Sequence, residues 1–211
     1  MRIIDLSLSL QNGMRGVDIS PARRLETDGW NATTLELYSH AGTHMDAPCH
    51  FLPDGATLDA QSLEAVVGPA KVIQLAPAEP KQLHTVEDLA SANVQAGDRL
   101  LLRTDWYKRH GTPEYRDELP RISLELAEWL VETNVALVGV EGPSVADVGN
   151  MKELTSVHQT LFRGGVVIVE GLANLDLIQS PEVTFVALPL KIVGGDGSPV
   201  RAIAIEESQT Q

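Results

Sequence analysis

Apolar and polar residues along this chain fall into short runs, most of them the length of a β-strand. From Asp5 the order Asp5-Leu6-Ser7-Leu8-Ser9-Leu10 alternates, the period of a half-buried strand over residues 3–10. Residues 33–39 alternate again, with Leu35 and Leu37 set against Thr34, Glu36 and Tyr38. Residues 71–75 and 99–103 are further strands, each after a glycine. Residues 135–140 form a continuous apolar run that ends at Gly142-Pro143, and residues 166–170 follow Gly164-Gly165. Residues 183–190 and 200–205 read as a C-terminal pair, joined through Gly194-Gly195-Asp196-Gly197 as a hairpin connection.

Helical periodicity is rarer. Residues 123–134 show it best: Ser123 is placed to cap, Leu126, Trp129 and Leu130 share one face, and Glu125, Glu128 and Glu132 the other. Residues 85–91 offer a short helix, with Thr85 as N-cap and Asp88 three residues on. Residues 155–163 offer another, stopped by Gly164. Residues 12–31 have no clear period and carry Gly13, Gly16, Pro21 and Gly29; they read as a long loop, a length that usually serves a site or an interface. The pattern predicts one α/β domain over residues 1–211, with many strands in a mixed sheet and about three helices.

Composition narrows the class. The 211 residues are 43% hydrophobic, enough for a core, and no apolar run approaches the length of a membrane span. The formal charge of −13 disfavours a phosphate backbone as partner, so neither nucleic acid nor membrane is expected. An acidic residue at position 5 interrupts any secretory leader, and the single cysteine, Cys49, suits a reducing compartment. Both point to the cytoplasm.

The chemistry is concentrated in one segment. Three of the six histidines fall within His40-Ala41-Gly42-Thr43-His44-Met45-Asp46-Ala47-Pro48-Cys49-His50. His40, His44, Asp46 and His50 are all even-numbered, so an extended chain would turn them to one face and leave Ala41, Thr43, Met45, Ala47 and Cys49 for the packed side. Gly42 and Pro48 argue against a regular helix here. Imidazole and carboxylate together suit a borderline divalent cation such as zinc, manganese or iron. Three protein ligands leave positions open, as catalytic sites require, and without cysteine pairs a structural zinc knot is excluded. Cys49 beside His50 invites a nucleophile reading, but neighbours in an extended chain point apart, and a packed thiol is the better reading. Ser144 lacks the Gly-x-Ser-x-Gly setting of a serine hydrolase. His84 and His110 have no partners nearby in sequence and read as surface residues. Trp30, Trp106 and Tyr107 are aromatic candidates for a pocket, though such residues more often build cores.

The run His40-Ala-Gly-Thr-His44-Met-Asp46-Ala-Pro-Cys-His50-Phe51 resembles the signature of the cyclase family, which includes bacterial kynurenine formamidases and isatin hydrolases. A second block, His158 followed by Glu170 in the segment that ends Val169-Glu170-Gly171-Leu172, is similar to a family helix and strand. The segments Ala187-Leu188-Pro189-Leu190 and Asp196-Gly197-Ser198-Pro199-Val200-Arg201-Ala202 resemble its C-terminal part. The resemblance implies a swivelling β/β/α fold in a homodimer and a metal on His40, His44 and Asp46. In formamidase-like members it implies a second metal on His158 and Glu170 with Asp46 shared, and His50 beside the metal as proton donor or acceptor. Zinc is the cofactor this implies first, one or two ions per chain; manganese is the alternative, as in isatin hydrolase-like members, which use one.

Two segments depart from the pattern. The first loop reads Gly13-Met14-Arg15-Gly16-Val17 without a Trp-Pro-Gly segment, and Glu141-Gly142-Pro143-Ser144 stands where Asp-x-x-Ser is usual. The activity implied is hydrolysis of an aryl formamide, N-formylkynurenine to kynurenine and formate. The alternatives are hydrolysis of isatin or another cyclic amide or ester, and a lyase or non-catalytic metal protein on the same scaffold.

Overall fold

Short strands joined by turns and loops build the sheet of the computed structural model, which describes residues 1–75 and 77–207. In chain order the strands are β1 (Arg2–Asp5), β2 (Val17–Arg23), β3 (Ala32–Leu37), β4 (His44–Asp46), β5 (Val67–Gln74), β6 (Leu83–His84), β7 (Arg99–Arg103), β8 (Arg121–Ile122), β9 (Leu137–Val140), β10 (Val167–Glu170), β11 (Glu182–Val186), β12 (Gly197–Pro199) and β13 (Ile203–Glu206). The helices are α1 (Leu25–Asp28), α2 (Glu114–Asp117), α3 (Leu124–Glu132) and α4 (Met151–Arg163). Nine strands form one mixed sheet in the order β1-β13-β11-β5-β7-β9-β10-β4-β12. Its centre, β5-β7-β9-β10, is parallel, and the flanking pairs are antiparallel.

The central strands read as continuous apolar runs because both their faces are covered. Leu100, Leu102, Val138 and Ile168 turn one way, onto Leu126 and Leu130 of α3 and Val157 and Leu161 of α4. Leu101, Leu137, Val167 and Val169 turn the other way. There the sheet curls over itself, so that Ile4, Met45, Phe185 and Ala204 from its outer strands close a second core. This mixed α/β architecture agrees with the expected fold class.

Several elements differ from the sequence pattern. Residues 85–91 hold only a 3-10 turn, Val86–Leu89, although Thr85 and Asp88 do form the capping box. The first strand ends at Asp5, and β3 does not bury its alternating face: Leu35 is 59% exposed. Residues 12–31 are not a featureless loop. They contain β2 and α1, and β2 pairs with β3 as an arm separate from the main sheet. The glycine-rich turn at 194–197 is no simple hairpin, because β12 leaves its neighbour to pair with β4, while β11 pairs with β13. α4 begins four residues earlier than its apolar pattern, where Asn150 accepts a hydrogen bond from the Glu153 amide.

Candidate metal centre

Three elements converge on one point. β4 supplies His44 and Asp46, flanked by antiparallel β10 and β12. β10 ends in Glu170, directly across from His44. α4 turns its buried face, Val157, His158 and Leu161, toward the sheet. The close approach of β10 to the segment before β4 requires glycine: a Cβ on Gly171 would lie 2.5 Å from the Gly42 carbonyl oxygen. Gly42 itself bends the chain with φ +62°, in the left-handed region.

The extended-chain reading of residues 40–50 holds only in part. His40 lies in a turn, His44–Asp46 is strand, and Pro48–His50 is a 3-10 turn. The four side chains nevertheless meet. The His40 and His50 rings stack with centroids 4.0 Å apart, and Met45 and Ala47 pack into the core as the alternation predicts. Cys49 points away from the cluster and donates to the Gly195 carbonyl at 3.4 Å, the packed thiol anticipated.

Asp46 is the hub. Its Oδ1 lies 2.7 Å from His40 Nδ1 and 3.5 Å from His44 Nε2, and its Oδ2 lies 3.6 Å from His158 Nε2. Glu170 reaches His44 Nε2 at 3.2 Å with Oε2 and His158 Nε2 at 3.4 Å with Oε1. Oε1 also accepts the Val145 amide at 2.8 Å. All five side chains except that of His40 are almost fully buried. Burial alone would drive the imidazoles neutral. The Glu170 hydrogen bond and the Asp46 and Glu170 charges outweigh it, lifting His44 to about 9 and raising His158. The same contacts hold the Glu170 carboxyl far below the usual carboxylate range, against its own burial.

A cluster of this kind needs positive charge. Asp46 Oδ2 is buried without a hydrogen-bond partner, an orphaned lone pair facing imidazole nitrogens. A divalent cation satisfies it, replacing protons on the histidines. Ligand atoms of His44, Asp46 and Glu170 lie within 4.8 Å of one another, as do those of His40, Asp46 and His50. The five residues predicted to bind metal are thus brought together, with His50 at their edge.

The cluster floors a cleft of about 900 Å³. Tyr38, Phe51 and Tyr115 give it aromatic walls, and Arg15, Arg116 and His110 also line it. Part of this was missed in the sequence. Trp106 is core, donating to the Tyr115 carbonyl, and Trp30 is exposed on the arm. Tyr107 donates to Asp176 and does not line the cleft. His110 is half-buried against Tyr115, and His84 is only 2% exposed, so neither is a simple surface residue. Asp196, whose Oδ2 lies 3.3 Å from His40 Nε2 and 3.8 Å from His50 Nδ1, was visible only as part of a C-terminal segment.

A curled mixed sheet with a buried histidine-carboxylate cluster under an open cleft is the arrangement of a metal-dependent enzyme. The family model described as "Putative cyclase" matches residues 4–147, and the chain belongs to that cyclase family. It is 39% identical over 174 residues to the kynurenine formamidase of Bacillus cytotoxicus, covering 82% of this chain and 79% of that one. The kynurenine formamidase of Geobacillus thermodenitrificans is 37% identical over 180 residues, 85% of this chain and 82% of the relative. Among solved structures, isatin hydrolase A from Ralstonia solanacearum superposes with a TM-score of 0.87 at 27% identity, covering 97% of this chain and 92% of that one.

Proposed function

We propose that this chain hydrolyses the C–N bond of an aryl formamide, N-formylkynurenine, to give kynurenine and formate. The observation that carries the reading is the orphaned Asp46 Oδ2 within a ring of imidazoles, at the floor of an aromatic cleft. His40, His44 and Asp46 would hold one cation, and His158 and Glu170 a second that shares Asp46. The imidazole and carboxylate donors suit zinc first and manganese second. Such a cation, when bound, supplies Lewis acidity and eases ionisation of water near neutral pH.

The protein's own groups do the rest. Tyr38, Phe51 and Tyr115 offer faces for an aryl ring, and Arg15 and Arg116 offer cations for the carboxylate of an amino-acid tail. His50 is half-buried and stacked on His40, with its ring nearly perpendicular to that of Phe51. Burial, with His40 and His158 close by, holds it below the usual imidazole value against the pull of Asp46 and Asp196. Neutral His50 takes a proton as water adds to the formyl carbon. It returns that proton to the aniline nitrogen as the C–N bond breaks. Isatin hydrolysis is the second reading, favoured by the structural likeness to isatin hydrolase A.

The working unit in this proposal is a cytoplasmic homodimer of single-domain chains. Leu25, Trp30, Leu35 and Tyr38 are all exposed on or beside the β2–β3 arm, a surface that suits burial against a second copy. The test of function is turnover of N-formylkynurenine and of isatin by wild type and His50→Gln. Formamide turnover that falls about 10²–10⁴-fold in the variant, with metal content unchanged, supports the reading. Isatin turned over with the formamide untouched would shift it to the second, and undiminished turnover by the variant would remove His50 from the mechanism.

A further inference from the structure

The three histidines of the metal cluster do not present the same nitrogen to it. His44 and His158 both turn Nε2 toward the carboxylates, and their Nδ1 atoms meet main-chain carbonyls, Gly42 at 3.0 Å and Leu154 at 2.7 Å. Those carbonyls accept a hydrogen, so each ring carries it on Nδ1 and leaves Nε2 free for a cation. His40 is reversed. Its Nδ1 faces Asp46 Oδ1 at 2.7 Å, and its Nε2 points outward to Asp196 Oδ2 at 3.3 Å.

The segment around Asp196 is shaped to that ring. A Cβ on Gly197 would lie 2.7 Å from His40 Cε1 and 3.1 Å from Nδ1, so the absent side chain makes the space the imidazole occupies. Gly197 pairs directly with Asp46 across β12 and β4, and the Asp196 carbonyl accepts the Ala47 amide at 2.9 Å. The turn before it is pinned as well: Gly195 accepts the Leu58 amide at 2.8 Å, and the Gly194 amide donates to Asp59 at 3.0 Å. Asp196 is therefore held in place by backbone contacts that owe nothing to its side chain.

We propose that Asp196 and Gly197 are positioning residues that fix His40 with its hydrogen on Nε2, so that His40 binds metal through Nδ1 while His44 and His158 bind through Nε2. The inference rests on the metal reading of the cluster. A carboxylate on the far nitrogen of a metal-bound histidine sets its tautomer and orientation, and losing it costs about 10–100-fold in affinity. The same Asp196 oxygen lies 3.8 Å from His50 Nδ1, too long for a hydrogen bond. Its direct hold is therefore on His40, and His50 follows through the stacked rings.

The test uses zinc alone, titrated into metal-free wild type, Asp196→Ala, Asp196→Asn and Gly197→Ala against a coloured chelator. Thermal melts of the metal-free proteins run alongside. Zinc affinity lower by about 10–100-fold in Asp196→Ala, with an unchanged metal-free melt, is the expected result. Asp196→Asn, which keeps an acceptor, should recover part of the loss, and Gly197→Ala should lose at least as much as Asp196→Ala. Imidazole nitrogen shifts of zinc-loaded, ¹⁵N-histidine-labelled wild type give a reading free of folding effects, with metal on Nδ1 of His40 and on Nε2 of His44 and His158. Wild-type affinity in Asp196→Ala, or metal on Nε2 of His40, would overturn the proposal while leaving the metal centre standing. A wild type that takes up no zinc would overturn both.

Discussion

Glu141, the residue after β9, is fully buried, and its side chain is only half satisfied. Oε2 accepts the Thr104 amide at 2.7 Å and the Thr104 hydroxyl at 2.9 Å, while Oε1 has no partner. Burial outweighs the Thr104 bonds and pushes the carboxyl up to about 7 from 4.5. The folded state then binds more protons than the unfolded one between those values. This group's stabilising contribution is therefore complete below about pH 4.5 and is lost as pH rises to about 7. Glu141→Gln keeps an acceptor for Thr104 and removes the titration. Denaturant melts at pH 5.5 and pH 8 should show the variant gaining roughly 1–3 kcal/mol on wild type over that interval. An equal difference at both pH values would contradict the burial argument. The sequence flagged this position as a departure from the family pattern, and His40, His44 and Asp46 as ligands. Residue spacing could not reach Asp196, because its value lies in a contact 156 positions away from His40.

At the scale of elements, the chain announced its central strands and α3 clearly, since each has a continuous run or a capped amphipathic face. It announced β12 poorly. A three-residue strand of Gly197, Ser198 and Pro199 has no apolar period, and only the pairing with β4 defines it. In the β2–β3 arm only β3 was legible, from the alternation over residues 33–39; β2 was hidden in a segment without a period, and because both strands are mostly exposed, the alternation of β3 marks no core. α4 positions His158, and its angle depends on contact with α3. Gly164 at its C-cap has an ordinary φ of −81°, so what it supplies is space: a Cβ there would lie 2.3 Å from Val131 Cγ2. Gly164→Ala should destabilise the fold by about 1–3 kcal/mol through overpacking. Urea denaturation reads this directly, and a variant as stable as wild type would show that α3 and α4 separate freely.

For the whole molecule the formal charge is −13, yet the cleft carries Arg15 and Arg116, and the cluster beneath would add cationic character once loaded with a metal. The proposed homodimer belongs to this scale too. If the β2–β3 arm is its seat, Leu35→Asp should move the protein to monomer mass in light scattering; an unchanged dimer would place the interface elsewhere, and a monomeric wild type would end the dimer proposal. The most direct measurement is metal content and turnover together: strip the protein, add back zinc or manganese, and follow N-formylkynurenine hydrolysis against ions bound per chain. Activity that is absent in stripped protein and returns as one or two ions bind is the predicted result, with Asp46→Asn binding little metal and staying inactive. Full activity in the stripped protein, or no uptake of either ion, would contradict the assignment of the buried histidine-carboxylate cluster as a metal centre.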